Sequence, residues 1–261
     1  SKRKKINGVY YVFDEYGRMV DEWAIQHGDT WSALDEIATG TTATNIAYLN
    51  GDGSQRKNTW VWAIPDENWI NKDYENDDYR WFYFGKNGKL TVDQKKKING
   101  KYYAFDEYGR MQKGFVAVGA DNQGVNKVGN PDDFTAKEWI AKNNDGVFFF
   151  STDEEKDGSM KTGYQNIEMD DDTYQFYFQK NGEAKTQYDT KIKKFTVAGL
   201  VLKPAADDDN NYGAVATDGL SITTNYKDMT VGMYLVNKQG TLVKNKTVKD
   251  ENDQYWLTDE D

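Results

Sequence analysis

The sequence contains no cysteine, so neither disulfide bonds nor zinc–thiolate sites can hold its fold together. It contains one histidine, His27, which excludes a multi-histidine metal site and argues against histidine-based catalysis. Carboxylates are plentiful, but Asp14, Glu15, Asp106 and Glu107 fall in turns that the chain repeats, and duplicated turn residues serve the turn more often than chemistry. We therefore predict a chain without catalytic residues, cofactor or metal site, whose fold depends on packing.

Long apolar runs and basic stripes are also missing. No stretch approaches the roughly 18 to 20 consecutive apolar residues of a membrane span. The 33 Lys and Arg residues are interleaved with 43 Asp and Glu residues, and the net charge is -10. Because a nucleic-acid-binding surface needs clustered basic residues to neutralise phosphates, the sequence predicts neither a membrane span nor a nucleic-acid partner.

Apolar residues make up only 38% of the chain, which is low for a single thick core. Aromatic residues are nevertheless frequent, with 18 Tyr, 12 Phe and 8 Trp. Aromatic rings bury a large area while keeping a polar group or an exposed edge. The composition therefore favours thin layers of aromatic side chains over one deep core.

The segment Lys97–Met111 nearly copies the segment Lys5–Met19, displaced by 92 positions. Such a repeat is one supersecondary unit that cannot bury its apolar face alone, so its neighbours must stack on it. Within each copy, a short aromatic strand is followed by Asp-Glu-Tyr-Gly and a second strand, which predicts a β-hairpin closed by a glycine turn. The predicted fold is all-β, an elongated, solenoid-like array of stacked β-hairpins.

Weaker copies of the hairpin recur along the chain. Two looser hairpins, at 47–53 and 147–160, fill the gaps between them. The spacing predicts a duplicated block of three hairpins over residues 1–94 and 95–188, followed by a third, degenerate block over 189–261. That block ends inside a hairpin, which predicts a fragment of a longer protein. The turn glycines of the tight hairpins are Gly17, Gly88, Gly109, Gly182 and Gly240.

Two insertions, at 26–44 and 121–142, interrupt this rhythm. Thr30–Ile37 carries apolar residues at helical spacing, and Asp132–Ile140 begins with acidic residues that cap helices. We therefore predict a short helix in each insertion. The basic runs that open the two best copies, Lys2–Lys5 and Lys95–Lys97, are interpreted as solvated linkers between repeats.

These units resemble the cell-wall-binding, or choline-binding, repeats of Gram-positive surface proteins and the related glucan-binding and clostridial toxin repeats. In that family a Gly-Trp opening precedes an aromatic strand, an Asn/Asp-x-x-Gly turn, an apolar residue and the next Thr-Gly-Trp. The pattern is matched best at Gly109–Phe115 and at Gly158–Tyr164. The resemblance spans most of residues 5–190 and, more weakly, 230–261.

The resemblance implies a non-catalytic module that anchors a secreted bacterial protein at the cell surface or cell wall. Its expected partners are choline-bearing teichoic acid, peptidoglycan or glucan, and arrays of the family often dimerise through terminal hairpins, so a homodimer is a further expectation. A quaternary ammonium needs a cage of rings, whereas a sugar needs only a flat apolar platform. The aromatic platform candidates are Trp23, Trp60, Trp69, Trp81, Tyr83, Tyr103, Phe115, Trp139 and Tyr164.

A different class of function remains open, in which the array is a structural spacer or protein-interaction stalk without a ligand. In that case the aromatic residues only pack one hairpin on the next. The two hypotheses differ in one observable: a binding module leaves aromatic faces open, whereas a spacer closes them.

Overall fold

The computed structural model describes residues 2–34, 43–66, 69, 79–128, 146–152, 157–169, 171–205, 211–249, 253 and 255–259. The chain divides into two compact units. The first comprises Ser1–Gly114, Val118–Asn126 and Thr152–Ser159, and the second comprises Phe115–Ala117, Lys127–Ser151 and Met160–Asp261.

The described secondary structure consists of short strands and two 3-10 helices, Ala43–Asn45 and Tyr226–Asp228. Up to residue 105 the strands are β1 (Lys2–Ile6), β2 (Val9–Phe13), β3 (Glu22–His27), β4 (Thr30–Ala33), β5 (Ile46–Leu49), β6 (Thr59–Ala63), β7 (Arg80–Phe84), β8 (Gln94–Ile98) and β9 (Lys101–Phe105). The later strands are β10 (Gly114–Val118), β11 (Asn126–Lys127), β12 (Gly146–Phe150), β13 (Gly163–Met169), β14 (Asp172–Phe178), β15 (Glu183–Ala184), β16 (Gln187–Asp189), β17 (Lys194–Val197), β18 (Leu200–Val201), β19 (Tyr212–Val215), β20 (Ile222–Thr223), β21 (Tyr234–Asn237), β22 (Thr247–Lys249) and β23 (Tyr255–Leu257).

The strands form many small antiparallel sheets. Four pairs stand as separate two-stranded ribbons: β1–β2, β6–β7, β8–β9 and β22–β23. Three-stranded sheets have the orders β4-β3-β5 and β20-β19-β21, and a larger sheet has the order β11-β10-β12-β15-β14-β18-β17-β16, with β13 paired to β14. The all-β array of hairpins predicted from the sequence is confirmed.

The lysine-rich segments are strands, so their interpretation as solvated linkers is wrong. In the first copy β1 pairs with β2 from Lys2 opposite Phe13 to Ile6 opposite Val9. Asn7 and Gly8 connect the two strands with φ angles of 50° and 87°, which is the Asn-Gly pattern of a type I′ turn. This hairpin signal was already present in the sequence.

The predicted glycine turns form a second turn in each repeat, after the Asn-Gly turn. In the first copy the amide of Gly17 donates to the carbonyl of Asp14 at 3.1 Å, and Phe13 bridges to Met19. Gly17 has a φ of 78°, which matches a type I turn followed by a residue in the left-handed region. The same bond joins Gly109 to Asp106, Gly182 to Gln179 and Gly240 to Asn237, so the predicted turn glycines are confirmed.

Successive hairpins stack through these glycines. A Cβ atom added to Gly53 would lie closer than 3.0 Å to Met19, which stands two residues after the preceding turn glycine. The same clash would occur between Gly109 and Leu90, between Gly158 and Met111, and between Gly182 and Met160. These four glycines therefore give the side chain of the previous hairpin the space to pack against their backbone.

Each unit buries thin layers of aromatic and aliphatic side chains, as the composition predicts. A layer in the first unit consists of Trp23, Ile25, Leu34, Ile46, Val61, Ala63, Phe82, Phe84 and Leu90. A layer in the second unit consists of Phe115, Val147, Phe149, Ile167, Met169, Phe176, Phe178, Ala184 and Ala198.

The helix predicted to begin at Thr30 is wrong over the described residues, because Thr30–Ala33 is strand β4. Gly28 has a φ of 54° and opens a two-residue turn, so that His27 pairs with Thr30 and Gln26 pairs with Trp31. A glycine at this place is typical of a type II′ hairpin, and it overrides the helical spacing of the apolar residues. The second predicted helix, Asp132–Ile140, lies outside the described residues.

The predicted three blocks, 1–94, 95–188 and 189–261, concern the duplication of the sequence, and this division stays a prediction. Within the described ranges, no helix is long and apolar enough to cross a membrane.

Candidate functional site: an exposed aromatic ladder

The ribbon formed by β6 and β7 has two different faces because side chains alternate along a strand. One face is buried in the core of the first unit, where Val61, Phe82 and Phe84 are at most 4% exposed. The opposite face carries only rings, with Trp60 opposite Tyr83 and Trp62 opposite Trp81. The hairpin therefore presents a continuous aromatic face away from the core.

This aromatic face changes from buried to exposed along the ribbon. Tyr83 is 7% exposed, whereas Trp62 is 50% and the neighbouring Tyr79 is 48% exposed. The Trp62 ring lies 4.9 Å from that of Trp81 at 39°, and 5.8 Å from that of Tyr79 at 21°. We call Tyr79, Trp62 and Trp81 the aromatic ladder, and its two stacked outer rings, Tyr79 and Trp62, are about half exposed to solvent.

At the other end of the ribbon, Trp60 forms a corner with rings of two hairpins. Its ring lies 4.8 Å from Tyr103 at 70° and 6.3 Å from Trp81 at 88°. Burial raises the pKa of Tyr103, with Lys101 acting to lower it and Asp157 to raise it. The Tyr103 phenol is therefore neutral at physiological pH, and the corner of Trp60, Trp81 and Tyr103 consists of uncharged aromatic walls.

Three of the predicted platform residues are buried. Trp23 is 6% exposed, Tyr83 is 7% and Phe115 is 3% exposed. The Trp23 ring meets Phe82 at 4.9 Å, and its indole Nε1 donates to the Ile64 carbonyl at 2.9 Å. The hydroxyl of Tyr83 lies 2.9 Å from Asn58 Oδ1. These rings pack within the fold and have no open face in the structure.

The remaining predicted residues are spread over both units. Trp69 is half-buried, and its Nε1 donates to the Tyr108 carbonyl at 3.1 Å. In the second unit Tyr164 is 45% exposed and lies 5.0 Å from Tyr177. Burial raises the pKa of Tyr164, aided by Tyr177 and Asp189. Trp139 lies outside the described residues.

The structure brings three of the candidates, Trp60, Trp81 and Tyr103, together, but the most exposed rings of the ladder, Trp62 and Tyr79, were not among the candidates. A signal for Trp62 was available, because Trp60 and Trp62 are two positions apart and must share a face of any strand. Tyr79 has the same spacing to Trp81, but it precedes strand β7, so its signal is weaker.

The second copy of the hairpin lacks the ladder. In β13–β14, Tyr164 opposes Tyr177 just as Trp60 opposes Tyr83. One step along, however, Asn166 and Gln175 occupy the register of Trp62 and Trp81. Strands β13 and β14 pair with two amides at these positions, so pairing of the strands does not require aromatic residues there. The ladder is therefore available for a role other than folding.

Comparison with known proteins found no matching family model and no matching curated protein. Among solved structures, the chain is similar to the choline-binding domain of CbpL from Streptococcus pneumoniae, with 16% identity, 99% of this chain and 93% of that chain covered, and a TM-score of 0.46. It is similar to the choline-binding domain of Spr1274 from the same organism, with 22% identity, coverage of 43% and 95%, and a TM-score of 0.26. It is also similar to an alternansucrase solved with isomaltononaose, with 17% identity, coverage of 99% and 16%, and a TM-score of 0.32.

Proposed function

We propose that the chain is a non-catalytic binding module that holds a secreted bacterial protein on a cell-wall polymer or other carbohydrate. The observation that carries this proposal is the aromatic ladder. Its Trp62 and Tyr79 rings stay about half exposed, although Val61, Phe82 and Phe84 on the opposite face of the same ribbon are buried. A spacer without a ligand would be expected to close this face or to place polar residues on it, as β13–β14 does with Asn166 and Gln175.

A sugar ring is the ligand that best fits the outer part of the ladder. The Trp62 and Tyr79 rings are stacked at an angle of 21°, so they do not form the crossed walls of a cage, and their exposed outer surface can serve as a platform. The C–H face of a pyranose can lie on such a platform and remove apolar area from water, while its hydroxyl groups remain hydrated. The expected polymers are glucan and the glycan of peptidoglycan.

The corner at Trp60 favours a second candidate ligand, the quaternary ammonium of choline on teichoic acid. The Trp60 and Trp81 rings are inclined by 88°, and rings in such an arrangement can face one cation from two sides. Lys101 and Asp157, which form an ion pair at 3.5 Å, both act on Tyr103 at this corner, so the rings and not a net charge would recognise the cation. The contribution of each ring to binding a cation is about 0.5 to 2 kcal/mol.

Replacing Trp62 with alanine tests the role of the aromatic ladder in binding. Removing this ring takes away the centre of the ladder, so we expect the affinity for a glucan oligosaccharide to fall by about tenfold, or about 1.4 kcal/mol. Trp62 is 50% exposed, and the change should leave the free energy of unfolding nearly unchanged. Isothermal titration calorimetry with isomalto-oligosaccharides and with choline, together with pull-down on purified Gram-positive cell wall, measures the effect.

Tyr16→Ala is the matched control, because Tyr16 is 76% exposed but lies outside the ladder. It should bind like the unchanged protein. The double variant Asn166→Trp/Gln175→Trp places the two rings at the matching register of β13–β14 and should add binding sites. If choline binds and Trp81→Ala weakens it more than Trp62→Ala does, the corner is the site. Absence of binding to choline, glucan and cell wall alike would refute the proposal and leave the spacer hypothesis.

A further inference from the structure

Four basic side chains of the first unit gather around two aromatic rings. The guanidinium carbon of Arg3 lies 4.5 Å from the Tyr10 ring centroid and 5.2 Å from that of Trp31. The Nζ atom of Lys57 lies 4.0 Å from the Tyr10 centroid, and Nζ of Lys89 lies 4.4 Å from that of Trp31. Nζ of Lys5 is 5.6 Å from the Tyr10 centroid. We call Arg3, Lys5, Lys57 and Lys89 the basic cluster.

Among the described residues, no carboxylate pairs with the basic cluster. In the part of the chain that the structure describes, none of the four residues forms an ion pair, although the whole chain has a net charge of -10. Their hydrogen bonds go to neutral groups: Arg3 Nη1 donates to Gln55 Oε1 at 3.4 Å, and Lys89 Nζ donates to Gln26 Oε1. Most of their N–H donors are therefore available to a ligand.

The cluster also destabilises its own charges. Burial, and after it the charge of Arg3, lowers the pKa of Lys89 to about 8. Burial and Arg3 likewise lower the pKa of Lys57. Repulsion among like charges that are partly removed from water would be relieved by an anion, which is the ordinary property of a preformed anion site.

The second copy of the repeat shows that the fold does not require this cluster. Tyr102 matches Tyr10 by the displacement of 92 and has Lys95 and Lys97 near its ring, at 5.9 and 5.6 Å. The other components are replaced. When the turn glycines of the copies are matched, Trp31 corresponds to Gln123, Gln55 to Met160, Lys57 to Thr162 and Lys89 to Glu183.

We propose that the basic cluster is a binding site for a phosphate group, with Arg3, Lys57 and Lys89 donating to its oxygens beside the rings of Tyr10 and Trp31. A guanidinium offers a planar pair of donors that fits two oxygens of a phosphate, and the ammonium groups add compact charges to the others. The site shares no residue with the aromatic ladder, so it does not depend on the proposed function. Its phosphate comes either free or as a phosphodiester within a polymer.

The full chain can be tested by NMR titration of its lysine side-chain amines with inorganic phosphate. We expect saturable shifts of Lys57 and Lys89 at millimolar phosphate and a rise of about one unit in the Lys89 pKa, since a bound anion favours the charged amine. Sodium chloride of the same ionic strength should not reproduce them. Binding should weaken above pH 8, where Lys89 loses its charge. Glycerophosphoglycerol, a phosphodiester, distinguishes the two sources of the phosphate group. If it binds as tightly as inorganic phosphate, the ligand is a phosphodiester of a polymer. If only inorganic phosphate binds, the ligand is the free ion.

Arg3→Gln should reduce phosphate affinity about tenfold, and Lys97→Gln, next to the matching Tyr102, should leave it unchanged. Trp62→Ala should also leave phosphate binding unchanged, which separates this site from the ladder. A linear response shared with chloride would overturn the proposal, as would an equal effect of Arg3→Gln and Lys97→Gln. Lys57→Gln gives a second test should Arg3→Gln fail to fold, and it should weaken phosphate binding in the same direction.

Discussion

Replacing Trp23 with alanine should lower the free energy of unfolding of the first unit by about 3 to 5 kcal/mol, the range for removing a large buried aromatic side chain. The Trp23 ring is 6% exposed and packs edge-on against Tyr48 and Phe82 at 5.2 and 4.9 Å. Its removal leaves a cavity between β3 and the inner face of the β6–β7 ribbon. It also leaves the carbonyl of Ile64 without its indole donor, which adds the loss of a partly buried hydrogen bond.

Urea unfolding of the full chain, followed by circular dichroism, measures this change. Trp23→Phe keeps much of the packing and loses the indole N–H, so its loss of stability should be clearly smaller. Trp62→Ala removes the same residue type from an exposed position and serves as the matched control for stability. Equal losses in Trp23→Ala and Trp62→Ala would contradict the distinction between a core tryptophan and a ladder tryptophan.

The difference between Trp23 and Trp62 also shows what a sequence can and cannot predict in this fold. Periodicity identifies which side chains share a face of a strand, so it groups Trp60 with Trp62 and Trp81 with Tyr83. Whether a ring remains open depends on which neighbouring hairpin covers it. Tyr103 reaches Trp60 at 4.8 Å, whereas Trp62 stays half exposed, and no local pattern in either segment encodes that difference.

The turns could be predicted from the sequence where their backbone conformation requires glycine. Gly17 and Gly109 occupy the left-handed region with φ of 78° and 83°, and the near-identical segments that contain them identified the repeated hairpins. The turn at Gly28 was missed because the apolar residues that follow it fit a helix as well as a strand over a short distance. Strand pairing of Thr30–Ala33 with β3 decided between the two, and pairing is a tertiary property.

Replacing Asp106 with alanine should produce the other large loss of stability, about 2 to 4 kcal/mol. Its Oδ1 accepts from the backbone amides of Tyr108 and Arg110 at 3.1 and 2.9 Å. Its Oδ2 accepts from Arg110 Nε at 2.7 Å and from Gln112 Nε2 at 3.0 Å. Because the side chains of Arg110 and Asp106 are only 16% and 13% exposed, alanine would remove an ion pair from a partly buried guanidinium.

Asp14 in the first copy provides the matched control. It accepts the same bonds from the amides of Tyr16 and Arg18 and from Arg18 Nε, but the Arg18 side chain is 75% exposed. Water can replace the carboxylate there, so Asp14→Ala should have a smaller effect on urea unfolding. Losses of equal size would mean that the turn bonds alone, and not the buried ion pair, determine the stability.

The pKa values of the two carboxylates predict opposite responses to acid. Burial raises the pKa of Asp106 above 3.8, although the charge and hydrogen bonds of Arg110 oppose this rise. At Asp14 burial also acts to raise the pKa, but the hydrogen bonds and charge of Arg18 outweigh burial, and the pKa of Asp14 lies below 3.8. By linkage, the stability that Asp14 provides is present above pH 3.8 and is lost as the pH falls through its folded pKa. Protonation of Asp106 instead favours the folded state, and this gain is lost as the pH rises through its folded pKa. Acidification should therefore narrow the difference in free energy of unfolding between the unchanged protein and Asp14→Ala. It should not narrow the difference between the unchanged protein and Asp106→Ala. Urea titrations at pH 3 and pH 7 measure both differences.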